Sequence, residues 1–356
     1  MKLFFCSWFV LLAFISCIRE VELDYPPVPA KIVLNASVSP DRPVSAFVSK
    51  TWFLLDSVPD SYLPDAIVHV YVNKNYEGVM QCIDNPSDTL TAKGQYQLPG
   101  CYVQAGDLLS LKVQAPGYET VTSDVTIPPY TPILSVDTVR FLSTSLTSPS
   151  YNTESLRFIV KMEKEGAERH YYRILIERIV EYEKDGINIT VSQYGLNSYF
   201  FIGGYYPYAY GSPLSINYED PVFQMTGMSS SSQYQSYGIY TDDLLKEEMP
   251  YNIRLSVVPV ENSFKSDTLS TQVSYKVHLL TISQSYYQYY RMVGGLGIWI
   301  GNINWGDIAE SSETYSNVYN GFGVLTGYQE DTYTFIMPDS DTPPSWDPWN
   351  KYGSWW

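Results

Sequence analysis

The chain has 356 residues, a net charge of −16, 33 tyrosines and only three histidines. A surface this acidic repels nucleic acid and anionic lipid, which excludes both as natural partners of the chain as a whole. The length is too great for one ordinary sandwich and suits two domains, and abundant Tyr, Pro and Gly point to an all-β protein with substantial loops.

Met1-Lys2 is a minimal basic start, and Leu3–Ile15 is almost wholly apolar. That run is too short to cross a bilayer as a helix and reads as the core of a secretory signal over residues 1–16. Phe14-Ile15-Ser16-Cys17 resembles the lipobox of bacterial lipoproteins. The resemblance implies diacylglyceryl transfer to the Cys17 thiol, cleavage before it and acylation of the new amino terminus. Three acyl chains hold a protein on a membrane far more firmly than one. The other reading is an ordinary cleaved signal that happens to contain a cysteine. Residues 17–30 follow as an acidic tether with prolines at 26, 27 and 29, which favour extended backbone.

Cys6 leaves with the signal and Cys17 is taken by lipid, so Cys82 and Cys101 remain as a pair. In an exported protein such a pair favours a disulfide, worth about 3 kcal/mol for a loop of that size, over two separately buried thiols. Around them runs a series of period-two patterns: Ile32, Leu34, Ala36, Val38; Val44, Ala46, Val48; Ala66, Val68, Val70, Val72; Leu109, Leu111, Val113, Ala115; then Val121, Val125, Ile127. Strands that bury one face and are parted by Pro-Asp and Gly turns predict an immunoglobulin-like β-sandwich over residues 31–128.

Pro128-Pro129-Tyr130-Thr131-Pro132 cannot join a central strand and marks a boundary. A second β-rich domain is expected over 133–337, with strands at Leu156–Met162, Tyr172–Ile176 and Tyr251–Val257. One amphipathic helix is expected from Ser283 to about Val293, capped by the Ser283 hydroxyl and ended by Gly294-Gly295. Its buried face would carry Tyr286, Tyr289, Tyr290 and Val293, with Ile282 just before it. Residues 193–237 are rich in Tyr, Gly and Ser and give no clear element. The tail, residues 338–356, holds Trp346, Trp349, Trp355 and Trp356.

Several stretches resemble the DUF4249 family, outer-membrane lipoproteins of Bacteroidetes with no assigned activity. They are Leu23-Asp24-Tyr25-Pro26 with Lys31–Asn35 and Val38-Ser39-Pro40, Pro64-Asp65-Ala66, Pro116-Gly117-Tyr118, Tyr240–Leu245, Tyr286–Tyr290 and, most distinctively, Tyr315-Ser316-Asn317-Val318-Tyr319-Asn320-Gly321-Phe322-Gly323-Val324. The last is similar to the family's late Ser-Asn-x-x-Gly-Gly-x-Gly motif, with Asn320 at a usual glycine. The resemblance implies company with TonB-dependent receptors that import peptides or glycans. Glu20, Glu22 and Asp24 are similar to signals that send such lipoproteins to the cell surface, in a run interrupted by Arg19.

Motifs for chemistry are scarce. His69, His170 and His278 are far apart, and no His-Glu-x-x-His, Cys-x-x-Cys or Gly-x-Ser-x-Gly pattern is present, so no metal, cofactor or catalytic residue is expected. Asp242 and Asp243 are either paired carboxylates for acid–base work or caps of a short helix. Tyr205, Tyr206, Tyr208 and Tyr210, with the four tail tryptophans, are candidates for binding a ligand or partner, since aromatic side chains in Gly/Ser-rich loops give broad contact at low entropic cost. The alternative is that they pack on their own sandwich. The expectation is a non-catalytic, lipid-anchored outer-membrane protein accessory to a TonB-dependent uptake complex. A carboxylate-dependent surface hydrolase and a structural or adhesion lipoprotein are the alternatives.

Overall fold

The computed structural model describes residues 29–52, 61–63, 65–84, 93–144, 152–163, 168–184, 186–194, 214–223, 237–245, 250–258, 260–266, 268–295 and 315–341. The strands before Pro128 are β1 (Ile32–Val38), β2 (Ser45–Lys50), β3 (Ile67–Val72), β4 (Asn75–Val79), β5 (Gln81–Cys82), β6 (Gln95–Gln97), β7 (Leu108–Gln114) and β8 (Val121–Thr126). After it come β9 (Ile133–Thr144), β10 (Asn152–Met162), β11 (Tyr171–Lys184), β12 (Ile187–Tyr194), β13 (Ser215–Tyr218), β14 (Ile239–Thr241), β15 (Tyr251–Val258), β16 (Ser263–Lys265) and β17 (Leu269–Ile282). Helix α1 (Gln284–Gly295), β18 (Val318–Tyr319), β19 (Leu325–Ile336) and β20 (Asp339–Ser340) complete the described elements.

The fold is all-β and sandwich-like, as the alternating patterns predict. Burial along β1 alternates strictly, with Ile32, Leu34, Ala36 and Val38 inside. The same rule puts Val121 and Val125 of β8 and Leu109, Leu111 and Val113 of β7 in the core. Two main cores result. One joins β1, β2 and β6 to β3, β7 and β8. The other joins β11 and β17 to β10, β13 and β15.

Pro128–Pro132 falls between these cores, yet one sheet serves both. Among the described residues its path is β12-β11-β17-β19-β1-β2-β6-β5, facing a four-stranded sheet β13-β15-β10-β9 in one half and a five-stranded sheet β18-β8-β7-β3-β4 in the other. The link is β19. Its first residues run parallel to β1 (Ala36 opposite Leu325, Val38 opposite Gly327), and the rest runs antiparallel to β17, from Tyr328 opposite Ile282 to Ile336 opposite Ser274. Lys31–Trp356 is accordingly one compact unit.

The late motif makes this link. Asn317 Nδ2 donates to the Leu325 carbonyl (2.8 Å), the Leu325 amide donates to Asn317 Oδ1 (2.9 Å), and Ser123 Oγ on β8 donates to the Asn317 carbonyl (2.9 Å). The Leu34 amide donates to the Phe322 carbonyl and the Phe322 amide to the Ile32 carbonyl, so the ladder begins before β19 itself. Gly323 is needed here: its φ is +107°, and a Cβ would stand 2.1 Å from the Leu34 carbonyl oxygen. Asn320, where the family motif has glycine, adopts φ 61°, a conformation Asn tolerates better than most residues.

Gly323→Ala should therefore cost about 2 kcal/mol or more in urea unfolding, through strain and a broken β1–β19 ladder. Gly106→Ala, at φ +83° with open space around it, should cost only about 1 kcal/mol.

Candidate functional site

The outer face of β11, β17 and β19 carries three of the six Arg, Asp, Glu and His side chains buried among the described residues, Arg173, Glu177 and His278. On β11 the side chains of Tyr172, Ile174 and Ile176 enter the second core, so Arg173, Leu175 and Glu177 point to the opposite face. Helix α1 covers part of that face with Tyr286, Tyr287 and Tyr290, which pack with Leu175, Ile239, Leu280, Ile282 and Tyr328. Ser283 starts the helix as expected: its Oγ accepts from the Tyr286 amide (3.3 Å) and also from Gly327 on β19 (3.1 Å), while Ser283 N–H donates to the Gly327 carbonyl (2.8 Å). One capping residue thus fixes both the helix start and its seat on β19. Tyr287 rather than Tyr289 joins the buried set, and α1 runs on through Gly294 to Gly295.

Arg173 is fully buried beneath this helix. Its Nε donates to the Tyr237 carbonyl (3.1 Å), Nη1 donates to the Tyr286 hydroxyl (2.7 Å), and the guanidinium lies 4.3 Å from the Tyr290 ring centre. Burial pushes the Tyr290 hydroxyl well above its ordinary range, so a neutral ring faces the cation. At the neighbouring end of β19, Arg42 donates to the Tyr328 hydroxyl and lies over its ring.

His278 lies further down the same face, opposite Leu175 on β11. Its Nδ1 is 2.5 Å from Glu330 Oε1 on β19, and its Nε2 is 3.2 Å from Glu177 Oε2 on β11. Burial alone would lower the His278 pKa, but the hydrogen bonds and charges of the two carboxylates outweigh it and raise it above the ordinary 6.5. With both ring nitrogens donating to carboxylates, the imidazolium has no free nitrogen with which to take a proton from a substrate. The three side chains address one another, not a common centre. Among the described residues no group of His, Cys, Asp or Glu is arranged to hold a metal ion.

The other candidates separate. Asp242 is buried, accepts from the His170 amide (2.8 Å) and pairs with the His170 ring (3.3 Å), whereas Asp243 turns to Arg169 (2.6 Å) near the surface. Both sit in the first turn of a short 3-10 helix, Asp242–Leu244, and they do not face a shared substrate. His69 of β3 bonds Gln114 (3.1 Å) in the other half of the fold. The expected Cys82–Cys101 bridge is not formed, and both are free thiols. Cys82 lies on β5 opposite Tyr96, beside Asp84. Cys101 lies beyond the turn closed by its amide on the Leu98 carbonyl, packed on the first core near Glu77. The hairpin geometry thus gives the two sulfurs different neighbours. Cys17, Tyr205, Tyr206, Tyr208, Tyr210, Trp346, Trp349, Trp355 and Trp356 lie outside the described residues.

Sequence reasoning did not single out Arg173, Glu177 or His278 as a group. The available signal was charge on strands whose other face is wholly apolar, such as Arg173-Ile174-Leu175-Ile176-Glu177.

Because the His278 pKa is raised on folding, the cluster stabilises fully below the unfolded value near 6.5, and the contribution is lost as pH rises through the folded value. Urea unfolding of wild type against His278→Gln should give a difference of about 1–3 kcal/mol near pH 6 that shrinks by pH 9. A difference independent of pH would contradict a charged His278.

No curated protein matches the chain. A family described as a domain of unknown function, DUF4249, matches residues 18–334. That match takes in both sandwiches, helix α1, the Asn317–Gly323 staple and β19 nearly to its end, and the chain belongs to the DUF4249 family.

Proposed function

We propose that this protein is a non-catalytic lipoprotein of the outer membrane, held by lipid on Cys17 and facing the cell exterior, that assists a TonB-dependent complex importing peptides or glycans. The lipobox-like Phe14–Cys17 and the acidic, proline-bearing tether support the anchor and its location. The resemblance of the chain to lipoproteins that accompany such receptors supports the partner.

One observation favours binding or assembly over reaction. The buried titratable side chains of the helix-covered face, His278, Glu177 and Arg173, are turned toward other groups of the fold. Asp242 and Asp243, which carried the hydrolase alternative, diverge to separate partners, His170 and Arg169. A protein built this way is a rigid body that presents surfaces, and its tyrosine-rich loop and tryptophan tail are the segments suited to contact.

Two experiments test the proposal. Cys17→Ala should leave the signal uncleaved or release the protein from the outer-membrane fraction. A variant that stays there with its acyl label intact would overturn the anchor. Mild detergent extraction of the wild type should recover a TonB-dependent receptor with it, and deleting 346–356 or replacing Tyr205, Tyr206, Tyr208 and Tyr210 by Ser should weaken that recovery without shifting Tm. Recovery alone, with glycan- or peptide-cleaving activity, would favour the hydrolase.

A further inference from the structure

We infer that the pole of the first sandwich where the chain enters the fold is a lipid-facing surface that seats the body on a zwitterionic membrane. The inference rests on the anchor proposed above.

Several strand ends meet at this pole. β1 begins there and β2 ends there, with Ile32 opposite Lys50, the Thr51 amide donating to the Lys31 carbonyl (2.9 Å) and the Lys31 amide to Thr51 Oγ1 (2.9 Å). The β18–β19 turn closes on the same end: Phe322 bonds the Ile32 carbonyl (3.0 Å), and Tyr319 pairs with Thr122 near the start of β8. Three large aromatic residues at this end are left in the open, Trp52 at 45%, Phe322 at 47% and Tyr319 at 71% relative exposure. None of them fills a core cluster. Aromatic side chains with an apolar body and, in Trp and Tyr, a polar edge are suited to the boundary between acyl chains and headgroups.

Connectivity agrees with that choice. Among the described residues, Lys31, Lys50 and Lys93 stand at this end beside Asp65, Asp84 and Glu119. The Lys31 ammonium lies 5.5 Å from the Phe322 ring centre, on a stem long enough to carry the charge toward phosphate level. The tether joins the body at residue 31 and so holds this end at the highest local concentration over the anchored leaflet.

Reconstitution of the full lipidated protein in vesicles of phosphatidylcholine brominated on its acyl chains tests this through tryptophan quenching. The quenchable emission should fall by about a tenth or more in Trp52→Phe, because an interfacial indole reaches the bromines. Tyr102→Trp, placed in the Trp52→Phe background, serves as the control, since Tyr102 follows Cys101 at the start of β2 and so lies at the opposite pole. It should add emission that the bromolipid does not quench. Stable vesicle binding with equal quenching in wild type and Trp52→Phe would overturn the lipid-facing pole and leave the anchor standing. Binding that dilution reverses, with Trp52-dependent quenching retained, would support the pole and overturn the anchor. Absence of binding would overturn both.

Discussion

The parallel pairing of Ala36–Val38 with Leu325–Gly327 is the constraint on which the rest of the structure depends. Without it the two cores would be separate sandwiches joined by a proline linker. With it, β19 is a shared member of both: Leu325 fills the first core, and its later residues line β17 in the second half. Backbone groups in the middle of a sheet have no alternative partner once buried, so this ladder cannot be removed piecemeal. The linker is held to the same strand, since a Cβ at Gly327 would press on Ile127 and Gln329 Nε2 donates to the Pro128 carbonyl (2.5 Å).

From that junction the buried polar groups follow a common logic. Ser283 caps α1 and bonds Gly327, Ser285 Oγ donates to the Leu325 carbonyl (2.8 Å), and Arg173 binds the helix tyrosines from below. His278 then bridges β11 and β19 across β17 through two glutamates. A buried charge left without a partner costs several kcal/mol, so each of these groups specifies one placement of helix and strands rather than adding much net stability. The proposed role asks for a stiff body that presents its surface, and this arrangement supplies one.

Much of the strand content was legible because one-sided burial leaves a period-two trace. Ile32–Val38, Leu109–Val113 and Leu156–Met162 fall on β1, β7 and β10. The helix was legible from Ser283 and its tyrosines, although Tyr287 replaces Tyr289 in the buried set because the helix lies on both β11 and β19. What could not be read was any pairing between distant segments. Nothing local in Leu325–Gly327 says that its neighbour is β1, and nothing in Arg173 or Glu177 says that a helix more than a hundred residues later covers that face. The Asn317–Gly323 motif is legible as a resemblance, but only the structure shows that its Asn317 side chain ties a turn to β8 and β19. The two cysteines were paired by compartment and spacing, and the β5–β6 hairpin places them in different surroundings.

The central claim is that β19 makes one cooperative body of two cores, and hydrogen exchange during urea unfolding measures this directly. Amides of β7 in the first half and of β11 in the second should lose protection with the same midpoint and the same free energy, in one transition. Loss of protection in β7 at a distinctly lower urea concentration than in β11, with the second core still closed, would contradict it.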